Sequence, residues 1–147
     1  MRLVFSRSSG KHDDLLIERN GYPPQSIACP RQGIIPHDMV HYAVESVLAH
    51  RGFLTMLADG HNAGFAMTGG DSEESIERLV ETFQAEMWGG RVDAADLIAT
   101  YDHACDARGH AAMPVSSDDV AAIRDRLDDL TARWAAVPVG GRLTLDF

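Results

Sequence analysis

Val120, Ile123, Leu127, Leu130, Trp134 and Val137 recur at alternating spacings of three and four. Such a stripe winds down one side of a helix and obliges that helix to lie against another apolar layer. Pro138 and Gly140-Gly141 stop it. Behind them, Leu143, Leu145 and Phe147 alternate with Arg142, Thr144 and Asp146, the period-two pattern of a half-buried strand. At the other end, Arg2–Arg7 and Asp14–Arg19 are short apolar-rich runs separated by Ser8-Ser9-Gly10-Lys11, which reads as a β-hairpin. Strands at both ends of the chain with helices between them predict an α+β fold. It consists of a small antiparallel sheet, built from the N-terminal hairpin and the C-terminal strand, packed with about four helices. Residues 1–147 are expected to form a single domain.

The remaining helices follow from punctuation. His37–Arg51 has helical spacing behind Pro36, with Gly52 as its expected C′ residue. Ile76, Leu79, Val80, Phe83 and Met87 mark a helix that Asp71 or Ser72 can cap, with Glu73, Glu74 and Glu77 near its positive end. Leu97, Ile98, Tyr101, Ala104 and Cys105 mark another, opened by Asp93 and stopped by Gly109; Ser116 or Ser117 caps the last. Residues 26–35 are a connector that can hold a third short strand. Phe53–Gly70, with Phe65, Met67 and several glycines, fits either a short helix or a strand pair. Trp88 and Trp134 are expected to pack.

Charge narrows the partners. The formal net charge is −9. Residues 1–70 carry six acids and six bases, so residues 71–147 hold the whole surplus, sixteen acids against seven bases. An acidic surface repels phosphate backbones and anionic membranes, so neither nucleic acid nor a membrane is an expected partner. No targeting segment and no apolar run of membrane-spanning length is visible, and a cytoplasmic location is expected. Cys29 and Cys105 form no CxxC pair, which argues against a thiolate zinc site or a redox pair.

Chemistry concentrates in Pro36-His37-Asp38-Met39-Val40-His41-Tyr42-Ala43-Val44-Glu45. His37 and His41, at i and i+4, lie one turn apart on one side of a helix, the spacing that grips one divalent ion. Glu45 lies a further turn on. It is about 12 Å along the axis from His37, too far to share an ion with it, and suits the role of orienting partner for His41. The helical wheel puts both imidazoles on the apolar arc or its edge, where ring nitrogens need partners. A metal, a carboxylate or a backbone carbonyl would serve.

The segment resembles the HExxH helix of zinc peptidases, with Asp38 where that family has glutamate. The resemblance implies His37 and His41 as zinc ligands and Asp38 as the carboxylate beside water. The spelling HDxxH is also similar to the zinc motif of a ubiquinone-biosynthesis protein family, whose following glutamate corresponds to Phe53 here. The wider PHDxVHxxxE pattern resembles small uncharacterised bacterial proteins. A catalytic zinc needs a third ligand. His61 is the first candidate and Asp59 the second, both flanked by Gly60 and Gly64.

Two functions stay open at this level. One is a protein binding zinc or another divalent metal, with metal-dependent hydrolysis of a small-molecule ligand as its catalytic form, with His37, His41 and His61 or Asp59 as ligands and Asp38 or Glu45 near bound water. The other is a non-enzymatic interaction or scaffold protein, a homodimer or larger homo-oligomer formed along the Val120–Val137 stripe, in which the histidines belong to the core and Glu45 accepts from His41.

Overall fold

A computed structural model describes residues 1–31, 33–48, 51–63 and 69–147. The sheet carries β1 (Arg2–Ser6), β2 (His12–Glu18), β3 (Gln25–Pro30) and β4 (Arg142–Asp146) in the order β3-β2-β1-β4, every neighbour antiparallel. The expected hairpin is β1–β2, the connector supplies β3, and the two ends of the chain pair as β1–β4. Register follows the alternation. Leu3 stands opposite both Ile17 and Leu145, and Phe5 opposite Leu15 and Leu143, so one face of the sheet is apolar.

Among the described residues five helices, α1 (His37–Glu45), α2 (Phe53–Ala58), α3 (Asp71–Gly89), α4 (Ala94–Arg108) and α5 (Ser117–Ala135), complete the α+β architecture. The α5 stripe is wholly buried, and Trp134 meets Phe5 of the sheet edge to face at 6.5 Å. That apolar seam is therefore covered within the chain itself. Ser116 and Asp119 exchange side-chain and backbone hydrogen bonds as a capping box that starts α5. No described helix is long and apolar enough to cross a membrane.

Four expectations need correction. Gly70, and not Asp71 or Ser72, is the N-cap of α3, and the side chain of Glu73 accepts from its amide. The helix begun at His37 stops at Glu45 rather than Arg51: Ser46 and Leu48 close its last turn with bonds to Tyr42 and Val44 carbonyls. Gly52 is extended (φ −128°, ψ −168°) and is the N-cap of α2, not a C′ residue. Trp88, in the last turn of α3 beyond the buried stripe, is 68% exposed, whereas Trp134 packs. The ambiguous stretch begins as the short helix α2; Gly64, Phe65 and Met67 lie outside the described residues.

Candidate metal centre

α1 packs against α3, and the site forms on the seam between them. Pro36 is the N-cap of α1: its ring holds φ (−52°), its ψ of 141° keeps it outside the helix, and the first helical residue is His37. The i, i+4 spacing then stacks the two imidazoles, with ring centroids 4.8 Å apart and planes at 78°. His41 is buried and His37 is half-buried. The Nε2 atoms face each other at 3.1 Å.

Glu77, on α3, completes the arrangement. Its Oε2 is 3.0 Å from His41 Nε2, and its Oε1 is 3.4 Å from His37 Nε2. One donor atom from each of the three residues lies within 4.8 Å of the others. Two atoms held about 2.0–2.1 Å from one ion, at about 90–110° to each other, stand about 2.9–3.4 Å apart. The two nitrogens, 3.1 Å apart, fall in that range, and each faces a different oxygen of Glu77, at 3.0 and 3.4 Å, so the cluster could hold a metal ion.

The other ring nitrogens point away from the convergence and are held. His41 Nδ1 is 3.1 Å from Glu45 Oε1, and His37 Nδ1 is 3.0 Å from Gln84 Oε1. A carboxylate and an amide oxygen only accept, so each takes the N–H of a neutral imidazole and leaves Nε2 as a bare lone pair. Two such lone pairs and an anionic carboxylate then meet at one point. That arrangement calls for a cation, either a proton or a metal. The electrostatics agree: burial works against an imidazolium at His41, yet the hydrogen bonds and charges of Glu45 and Glu77 outweigh it and raise its pKa to about 10. Burial likewise works against the charge of Glu77, and the two histidines outweigh it, holding its carboxyl well below the usual range.

Glu45 is fastened on every side. Its Oε1 accepts from His41 and from the Leu54 amide at 3.0 Å; its Oε2 accepts from the Thr55 amide at 3.0 Å and the Thr55 hydroxyl at 3.2 Å. Phe53 lays its ring edge to face on His41, 5.9 Å between centroids.

The other residues singled out in the sequence lie apart from this convergence. The Asp38 carboxylate accepts from the Cys29 thiol at 3.4 Å. Asp59 pairs with Arg51, which also binds Glu73. His61 is exposed, and its carbonyl accepts from Arg19 at 2.7 Å. Among the described residues, the third donor atom beside the imidazoles belongs to Glu77 and not to His61 or Asp59. Sequence reasoning assigned Glu77 to the helix dipole. A signal was available: Glu73, Glu77, Val80 and Gln84 follow one another at spacings of four, three and four, alongside the apolar stripe of α3. A carboxylate and an amide on a semi-buried helix side need partners; the α1 histidines supply them to Glu77 and Gln84, and Arg51 supplies one to Glu73.

Comparison with protein-family models, curated proteins and solved structures gives no match to this chain.

Proposed function

We propose that this protein binds a divalent metal ion, zinc by preference, through His37 Nε2, His41 Nε2 and Glu77, and that the ion serves a metal-dependent hydrolytic reaction on a small molecule. The observation that carries the reading is the tethering of both Nδ1 atoms outward while both Nε2 atoms and Glu77 turn inward. Metal-bound imidazoles characteristically have this second set of partners, which fixes ring orientation and tautomer. Three protein ligands leave coordination positions for water, and the 42% exposed side chain of His37 gives solvent a way to them. An ion there would lower the pKa of bound water and supply hydroxide near neutral pH. Glu45 serves as orienting group rather than as base, since both its oxygens are engaged. Asp38 is turned to Cys29 and takes no part. The donor set, two imidazoles and one carboxylate without thiolate, suits zinc and also iron(II) or manganese(II).

The test is metal analysis of protein purified without chelator, then titration of the chelated protein with Zn(II), Fe(II) and Mn(II). One equivalent per chain is expected, lost in His41→Ala and Glu77→Ala. Hydrolysis of p-nitrophenyl esters and phosphate esters by the loaded protein tests the catalytic half. Protein that takes up no ion would leave His41 as an imidazolium clamped between Glu45 and Glu77, a structural tie between α1 and α3.

A further inference from the structure

Glu45 touches the metal centre on one side and the start of a different helix on the other. The first N–H groups of any helix have no partner within it, and Gly52 at the N-cap of α2 has no side chain to offer them. The Glu45 carboxylate, reaching over from the end of α1, accepts from Leu54 and Thr55 instead. It therefore caps α2 from outside. The same Oε1 that takes the Leu54 amide takes Nδ1 of His41.

Gly52 leaves room for this. A Cβ built there would lie 2.4 Å from Glu45 Cδ and 2.5 and 2.7 Å from its two oxygens. Those are distances at which something must move. The backbone of Gly52 has negative φ, so the residue is needed for space and not for its conformation. A buried carboxylate with four donors around it has nowhere to retreat without leaving at least one of them unpaired.

We infer that Glu45 is a positioning residue that couples the metal centre to α2: the carboxylate orienting His41 for the ion also docks the N-terminus of α2, so metal binding and α2 docking stabilise each other. The inference rests on the metal reading above. Metal binding locks His41 Nδ1–H onto Glu45, which seats the carboxylate that holds Leu54 and Thr55. By linkage, anything that unseats α2 weakens the metal by the same factor. α2 is then a segment whose order reports the loading of the site.

Two variants approach the carboxylate from opposite sides without altering a ligand. Glu45→Gln keeps the shape but has one acceptor oxygen where the carboxylate had two. Gly52→Ala pushes the native carboxylate aside. Each should weaken Zn(II) binding about 10–100-fold, as loss of an outer partner does, and each should alter the visible absorption of the Co(II)-loaded protein, which follows ligand geometry. In the unaltered protein, saturating Zn(II) should slow amide hydrogen exchange at Leu54 and Thr55 about tenfold. Unchanged affinity and spectrum in either variant, or exchange at Leu54 and Thr55 indifferent to zinc, overturns the coupling while the metal site stands. Absence of Zn(II) binding by the unaltered chain overturns both. Should Glu45→Gln fail to fold, Gly52→Ala and the exchange measurement still decide.

Discussion

His41 Nε2 lies 3.0 Å from Glu77 Oε2, across the seam between two helices whose stretches of sequence are far apart. The pair makes Glu77 the discriminating residue of the site. Glu77→Gln removes the anionic oxygen while keeping the side-chain shape, and Zn(II) affinity should fall by more than the ~10–100-fold that loss of an outer partner costs. Asp59→Ala and His61→Ala should keep one equivalent of Zn(II) per chain. Isothermal titration of the chelated proteins checks all three.

An ion that binds only the folded chain must raise its stability. At a hundredfold excess over Kd the gain is about 2.7 kcal/mol, which for a domain of this size raises Tm by roughly 5–10 °C. Differential scanning calorimetry with and without Zn(II) should show that rise. His41→Ala should abolish the rise, and a chelator should reverse it.

Leu130 belongs to the α5 stripe and is fully buried. Leu130→Ala should destabilise the protein by about 2–5 kcal/mol through lost burial and the cavity left behind, read from the urea midpoint. The stripe also shows what local pattern can reveal. Its period, the alternation of β4 and the i, i+4 histidine pair are all relations between near neighbours, and each appears in the fold as its spacing predicts. The end of α1 was not legible. Helical periodicity continues past Glu45, whereas the bonds its carboxylate accepts from Leu54 and Thr55 come from a second helix and leave no trace in the spacing. Glu77 was hidden for the same reason. Its partners lie on α1, and the acids at the start of α3 already had a sufficient local explanation in the helix dipole. His61 and Asp59 were placed by their distance along the chain from His41, and Asp59 instead meets Arg51.

Cys29 is buried, and its thiol donates to Asp38. Burial, with the charges of Asp38, Asp13 and Asp14, pushes its pKa far above the ordinary thiol range, and burial also raises that of Cys105. The thiolate is the reactive form. Folded protein at pH 8 should therefore resist iodoacetamide at both cysteines, and denatured protein should take two equivalents, counted by intact mass. Rapid alkylation of Cys29 in the folded chain would contradict its burial beside Asp38.

Asp13 supplies an acid-sensitive element away from the histidines. It lies on the inner side of β2 near the hairpin turn, buried, with Arg31 Nε at 3.0 Å and the Ser8 amide at 2.9 Å on its Oδ1. Burial opposes its ionisation, but the Arg31 hydrogen bonds, the Ser8 amide and the charges of Arg31 and Arg7 outweigh it, so its pKa lies below the usual 3.8. A carboxyl whose folded pKa is depressed contributes stability that is fully present above its unfolded pKa, about 3.9, and is lost as pH falls through the lower folded value. Asp13→Asn removes that contribution at every pH. The variant should therefore melt below the parent at pH 7. The gap should hold down to about pH 5 and then narrow progressively as the parent's own Asp13 takes up its proton. Thermal melts of both proteins between pH 7 and pH 2.5 check this, and a gap that stays constant across the range would show that Asp13 acts by packing rather than by charge.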